Sequence, residues 1–281
     1  QPAQLEVHPM LYGDIVGGGE EDPNAIQTLY GQRLVANNYL TTSYKLQRWN
    51  FMLSAQLCGD VEHMESSLNG INDKGEIQAS SPELQNDILY TRLDFVLTPS
   101  LQYNVGSKLT IQADVPLDAM WLYAKDRINH MVTTNKTQVL CQPSLSINSS
   151  ITSDLKLSAR ASYNEYHGSL YDSYGGYIMT DYRVTQRKAG DSHNTRSQTY
   201  NVELSYGNAI DAIFAGLEVN YFDSHSNIMY NTNFCGSLSQ IEAIKMPNRN
   251  NGYNVKCNFS TRISAAATTI NLAGGYMQSW S

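Results

Sequence analysis

Two short stretches set an acid, a hydroxyl and an imidazole side by side: Asp191-Ser192-His193 and Asp223-Ser224-His225. Those are the groups of a hydrolytic Ser-His-Asp centre. Such centres are assembled from separated positions, however, and neighbouring side chains on a strand point to opposite faces. The chain therefore shows no catalytic residues. The six histidines are His8, His63, His130, His167, His193 and His225. Apart from His8, which belongs to the N-terminal segment, they fall in or beside stretches that read as long loops, and no H-E-x-x-H spacing marks a zinc protease. Gly17-Gly18-Gly19-Glu20-Glu21-Asp22 is a flexible acidic stretch. It lacks the Lys and helix that follow a phosphate-cradling loop, and its spacing matches no calcium loop. Cys58, Cys141, Cys235 and Cys257 carry no C-x-x-C spacing, so neither a zinc site nor a redox pair is indicated. No metal, cofactor or cofactor-binding residue is assigned. Asn135-Lys136-Thr137, Asn148-Ser149-Ser150 and Asn258-Phe259-Ser260 match the glycosylation sequon; two of them fall within predicted strands and read as chance matches.

The remaining polar chemistry alternates with apolar residues, and that alternation says what must hold it. From Leu89 to Tyr103 the odd positions are apolar or aromatic apart from Thr91, while Arg92, Asp94, Gln102 and Asn104 occupy even ones. After a short turn, Leu109, Ile111, Ala113, Val115, Leu117, Ala119, Trp121 and Tyr123 repeat the pattern around Gln112, Asp114 and Asp118. Period two is the signature of a β-strand with unlike faces. Strands of soluble proteins commonly have about 5–6 residues. These runs are more than twice as long, and a tilted strand crossing a bilayer needs about 9–11.

Ten such runs are legible, near 33–46, 48–60, 88–104, 107–124, 137–151, 154–166, 198–207, 211–223, 252–263 and 266–278. Short turns alternate with long polar connections spanning about 61–87, 125–136, 167–197 and 224–251. Segregation of short turns to one side and long loops to the other is the build of a bacterial outer-membrane barrel. Composition agrees. Charged residues make up 16% of the 281, and 19 tyrosines against 6 phenylalanines suit a membrane–water boundary. No run of 18 apolar residues offers a transmembrane helix. A net charge of −7 argues against a nucleic-acid partner.

The fold expected is all-β: an antiparallel, up-and-down transmembrane β-barrel, of which the chain supplies an internal segment of about ten strands. Residues 1–281 form one segment, with 1–32 an external loop or partial strand and 33–281 the meander. With long loops outside, the first run descends and the tenth ascends, which leaves both ends on the outer side. The apolar stripe faces outer-membrane lipid. The polar face lines the lumen with Arg92, Asp94, Asp114, Asp118, Arg160, Glu203 and Glu218, joined by Lys156, Lys256 and Arg262. If Tyr103 faces Ser107, Arg92 stands opposite Asp118, and such a pair contributes about 0.2–1 kcal/mol.

The stretches Tyr221-Phe222-Asp223-Ser224-His225-Ser226-Asn227-Ile228-Met229-Tyr230, Pro247-Asn248-Arg249, Val255-Lys256-Cys257-Asn258-Phe259-Ser260 and Thr268-Thr269-Ile270-Asn271-Leu272-Ala273-Gly274-Gly275-Tyr276, with Pro99-Ser100-Leu101-Gln102-Tyr103 upstream, resemble TonB-dependent outer-membrane receptors of Bacteroidota-type bacteria. The resemblance implies a barrel of 22 strands around a plug domain, driven by a periplasmic energy-coupling protein. It further implies import of a scarce nutrient: a glycan, peptide or metal chelate. Neither a plug nor an energy-coupling box is legible in these residues. The alternatives are an outer-membrane barrel hydrolase, a protease or lipase, and a surface adhesin barrel.

Overall fold

The structure, a computed structural model, describes residues 3–7, 24–71, 74, 76–78, 81–128, 133–181, 183–188, 193–235, 238–263 and 266–281. Its strands are β1 (Ala3–Val7), β2 (Asn24–Leu46), β3 (Trp49–Ile71), β4 (Ile77–Gln78), β5 (Gln85–Val105), β6 (Leu109–Asp114), β7 (Leu117–Asp126) and β8 (Thr133–Cys141). They continue as β9 (Ser144–Ser150), β10 (Leu155–His167), β11 (Ile178–Asp181), β12 (Val184–Arg187), β13 (Asn194–Asn208), β14 (Ile213–Cys235), β15 (Leu238–Ile263) and β16 (Thr268–Trp280). All sixteen join one sheet.

The sheet is the expected up-and-down meander. β6 and β7 lie on one line, broken at Val115-Pro116, and both pair with β5 in a single register: Tyr103↔Ile111 and Phe95↔Ala119. β8 and β9 are likewise one line, broken at Gln142-Pro143. Proline has no N–H to give a ladder. The neighbouring amides keep the wall joined: Val115 N–H donates to Pro99 O, Gln142 N–H to Pro116 O and Tyr163 N–H to Pro143 O, each at 3.0 Å. Every one of the ten runs read from the sequence is one line of this wall. The short turns cluster at one rim, where Gln47, Gly106, Ala212 and Ala267 take positive φ to reverse the chain tightly.

Two expectations need correction. The connections 61–87 and 224–251 are largely strand, because β3 runs on to Ile71, β14 to Cys235 and β15 begins at Leu238. Alternation disappears there because neither face is uniformly apolar: on β3 Glu62 and Ser66 are buried beside Met64 and Leu68, and a backbone ladder needs no apolar face to form. Residues 24–32 likewise extend β2, and β1 pairs along its edge. The β5–β6 hairpin is also offset by four residues from the predicted register. A three-residue turn, Gly106-Ser107-Lys108, closes on Val105↔Leu109, so Arg92 stands opposite Leu122 and Asp118 opposite Val96. The predicted cross-strand Arg92–Asp118 pair does not form.

Burial is inverted relative to a water-soluble protein. Phe95 is 46% exposed and Val115 37%, whereas Asp94 is 8% and Asp118 7%. The apolar stripe is the open face of the sheet, and aromatic pairs sit on it: Trp49–Tyr103 at 4.4 Å and Tyr200–Tyr221 at 6.0 Å between ring centroids. An apolar surface this extended is stable against hydrocarbon, not water. Among the described residues, the buried apolar cluster lies on the opposite face. There Met64, Ile88, Tyr90, Met120, Leu122 and Ala124 of the wall meet Leu170, Tyr174 and Ile178 of the β10–β13 connection.

Lipid contact makes a mid-stripe cation costly. Leu97→Arg lowers the unfolding free energy in bilayers by about 2–4 kcal/mol. Thr98→Arg, one residue on and facing the other way, lowers it by far less. Urea titration of both variants reconstituted in vesicles measures the difference.

Candidate functional site

The site is the polar face beneath the connection that runs from Gly168 to Lys188. Among the described residues it is a long connection that leaves the wall and returns to pack against it. Ser169 opens a 3-10 turn at Leu170–Asp172 with a reciprocal cap: its N–H and Oγ both donate to Asp172 Oδ2, at 2.9 and 3.1 Å, and Asp172 N–H donates back to Ser169 O at 3.0 Å. Tyr166 O–H adds a third bond to the same oxygen, at 2.8 Å. Burial pushes the Asp172 carboxyl up, but the Ser169 and Tyr166 donors and the nearby His193 imidazole outweigh it, leaving the group below its ordinary value.

Beyond the cap, the connection is fastened to the wall by single polar groups. Tyr90 O–H donates to Gly168 O at 2.9 Å. Asn86, 1% exposed, accepts from Gly176 N–H at 2.6 Å and donates to Ser66 Oγ at 2.8 Å. Gln27 acts as a strand would, accepting from Met179 N–H at 2.5 Å and donating to Met179 O at 2.9 Å. A Cβ at Gly176 would lie 2.3 Å from Gln85 O, so only glycine allows this approach. Further along, β12 runs parallel to β15 from Val184↔Ser239 to Arg187↔Glu242. Tyr177 O–H donates to the Glu242 carboxylate, and its phenol is pushed up to about 12 by burial, then by that carboxylate.

Next to this docked connection the wall carries a dense group of charges. Arg33 Nη2 reaches Asp60 Oδ2 at 2.6 Å, and its Nε reaches Glu62 Oε1 at 3.0 Å. Arg92 turns to Asp94, two residues along its own strand, with Nε 2.8 Å from Oδ2; its Nη1 lies 3.5 Å from His167 O. Asp118 sits beside them, and its buried Oδ1 has no hydrogen-bond partner. Four carboxylates against two guanidiniums leave this patch negative.

The sequence-derived residues divide into groups. Arg92, Asp94 and Asp118 come together on β5 and β7. Asp114 stands apart on β6, accepting from Gln112 Nε2 at 3.0 Å and Ser144 Oγ at 3.4 Å. Arg160 is exposed on β10, between Ser146 and Asn201. Glu203 stands directly opposite Glu218, which accepts from Asn220 Nδ2 at 2.7 Å and lies 3.7 Å from Lys256. All share the face opposite the apolar stripe. Gln27, Asn86 and Tyr90 were not singled out in the sequence. Tyr90 falls on the polar parity, an aromatic among polar neighbours, and that was the one signal available.

The histidine readings also change. His63 lies on β3 and His225 on β14, within strands rather than loops, while His8 and His130 lie outside the described residues. So do the Gly17–Asp22 stretch, Asp191 and Ser192. All three sequons lie in strands, on β8, β9 and β15. Asp223 is held by Arg249 at 2.8 Å, not by a neighbouring serine. His193 does meet a serine and an acid: its Nε2 is 3.2 Å from Ser226 Oγ and its Nδ1 3.8 Å from Asp172 Oδ1. Thr195 Oγ1, at 2.9 Å, takes the same Nε2 more closely. Ser226 Oγ also accepts from Ile228 N–H at 3.3 Å and donates to Ile228 O at 3.2 Å. This serine closes a bulge in the β14–β15 ladder and is not presented as a nucleophile.

No protein family matches the sequence, and no curated protein matches it. Solved structures do. The ferric citrate transporter FecA, in its unliganded form, is 10% identical over 91% of this chain and 36% of its own, with a TM-score of 0.59. The copper transporter OprC gives 10% identity, 90% and 38% coverage and a TM-score of 0.58. The ferric yersiniabactin uptake receptor FyuA from Yersinia pestis gives 13%, 91%, 36% and 0.56. The chain thus spans a little over a third of the length of these structures. At such identities the likeness is one of fold: the wall has the antiparallel barrel fold of TonB-dependent outer-membrane receptors.

Loss of one anchor frees the connection. Asn86→Ala strands the Gly176 amide and costs about 1–3 kcal/mol of docking; Gly176→Ala undocks it by collision. In both, amide exchange at Gly176 and Met179 accelerates at least tenfold while the exchange of β13 and β14 holds. Acid acts on the cap. Because the folded Asp172 value lies below the unfolded one, its stabilising contribution is complete above the ordinary aspartate value of about 3.9. It is lost as pH falls through the lower folded value, and exchange at Leu170 to Ser173 reports this.

Proposed function

We propose that this chain is wall and ligand-facing surface of a TonB-dependent receptor in the bacterial outer membrane, importing a scarce nutrient such as a glycan, a peptide or a metal chelate by energy coupling. The observation that supports it most is the pairing of a lipid-facing apolar stripe with a polar inner face on which the Gly168–Lys188 connection is docked. A barrel that only anchors a cell surface has no use for a narrowed interior. Arg92, Asp94, Asp114, Asp118, Arg160, Glu203 and Glu218 are the lumen-lining residues in this reading. The negative patch at Arg33, Asp60, Glu62, Arg92, Asp94 and Asp118 favours a ligand that brings hydroxyls or positive charge. Residues 1–281 act as one barrel segment. A plug domain and a periplasmic energy-coupling protein are its partners by resemblance, as is the Bacteroidota-type affiliation of its last strands. The solved structures of the same fold are transporters and an uptake receptor, which fits a protein without a reaction of its own.

The hydrolase reading has one observation in its favour, the approach of Ser226 and Asp172 to His193. Competition by Thr195 for the same nitrogen and the long Asp172 contact weigh against it. Purified protein and its His193→Ala variant should hydrolyse ester and peptide substrates equally poorly; a loss of turnover on substitution would restore the enzyme.

The import reading is tested in cells limited for single nutrients. Deleting the gene should abolish growth on one of them, wild type should restore it, and a variant lacking residues 169–187 should restore at least tenfold less uptake. Collapsing the proton-motive force should stop uptake while leaving binding to intact cells unchanged. Equal growth of the deletion strain across the nutrient panel would contradict import.

A further inference from the structure

We infer that His63, Glu65 and Asp87 form a binding site for a divalent transition metal of the zinc class, on the lipid-side face of the wall at the level of the outer headgroups. β3 carries His63 and Glu65 two residues apart, hence on one face, and β5 carries Asp87 directly opposite Glu65. His63 Nε2 lies 2.9 Å from Asp87 Oδ1 and 3.5 Å from Glu65 Oε1, and all three donor atoms fall within 4.8 Å of one another. A metal about 2.0–2.1 Å from each of its ligands holds them roughly 3.3 Å apart, so closure requires the exposed Glu65 to swing in and His63 and Asp87, now 2.9 Å apart, to part slightly.

The donor set selects the metal. One imidazole with two carboxylates suits zinc and its first-row neighbours, whereas calcium and magnesium prefer oxygen throughout. The register supplies an independent reason. Two carboxylates directly opposite each other destabilise a strand pair. Arg127 offsets this only in part, since its Nη1 is 3.6 Å from the other Asp87 oxygen, Oδ2. Asp87 Oδ1 and Glu65 therefore still face each other around the imidazole, and a divalent cation between them removes the repulsion.

The position defines what completes the shell. The row of His63 runs Gln32, His63, Leu89 and Lys125, so the apolar stripe ends at the site itself, with Val61, Thr91 and Tyr123 in the row below. Three protein ligands leave at least one coordination position open toward the headgroup layer, as in metal sites that take an external ligand. This inference stands whether or not the barrel imports a nutrient, because it concerns the face turned away from the lumen.

The test uses the intact protein, purified in a nonionic detergent, stripped with chelator and returned to Zn2+. The wild type should bind one more equivalent of Zn2+ per chain than either His63→Ala or Asp87→Asn, or bind it at least tenfold more tightly. Co2+ should give a visible ligand-field band that both variants lose. His225→Ala, on β14, should match the wild type. Heat-modifiable migration on gels confirms that each variant retains its barrel. Equal Zn2+ stoichiometry and affinity in wild type and folded variants, or a Co2+ band that survives His63→Ala, would overturn the site.

Discussion

Everything in this molecule depends on the backbone ladder being satisfied without water. In hydrocarbon an unpaired N–H or C=O costs several kcal/mol, so a wall that crosses it must pair every strand with a neighbour. Successive lines from β2 to β16 are paired with one another even where prolines intrude, while the outer edge of β16, and that of β2 beyond its pairing with β1, have no partner strand among the described residues. Pro116 and Pro143 fall in the two-residue breaks of the β6–β7 and β8–β9 lines, Pro99 lies within β5, and the carbonyls of all three accept amides from the neighbouring line. With the backbone satisfied, side chains are free to sort by face, and the resulting division of odd from even positions in β5 fixes both the lipid surface and the charged interior.

The division explains why so much of the wall was legible. Where one face meets lipid and the other water, each step along the strand alternates, and the ten lines could be read to within a few residues. Above the apolar stripe the constraint lapses. β3 beyond Val61 and β14 beyond Asp223 remain paired strands, but neither face is uniformly apolar, since Met64 and Leu68 are buried beside Glu62 and Ser66, and the sequence offers no period to read. Register failed for a different reason. The odd residues stay on the lipid face whether Tyr103 opposes Ser107 or Ile111, so the pattern leaves even-numbered shifts undecided; turn length decides them, and Gly106 permits the three-residue loop.

The candidate site was legible only in part. Arg92, Asp94 and Asp118 were visible as charges on the polar parity, and they do meet, though through an Arg92–Asp94 contact along one strand instead of a cross-strand pair. The connection laid over them was not visible. Its anchors, Gln27, Asn86 and Tyr90, are isolated polar residues contributed by the wall, up to 152 positions away in sequence. Contacts between such a connection and the wall carry no periodicity, which is why the fold could be argued from pattern while the docked connection required coordinates.

The central claim is the orientation of the two faces. Single cysteines from Thr91 to Leu101, placed in a background without the native cysteines and carrying nitroxide labels, report it directly in bilayers. Collisions with oxygen, which concentrates in hydrocarbon, should peak at 91, 93, 95, 97, 99 and 101. Collisions with a water-soluble nickel chelate should peak at the even positions between them. The reverse phase, or no alternation at all, would contradict the account.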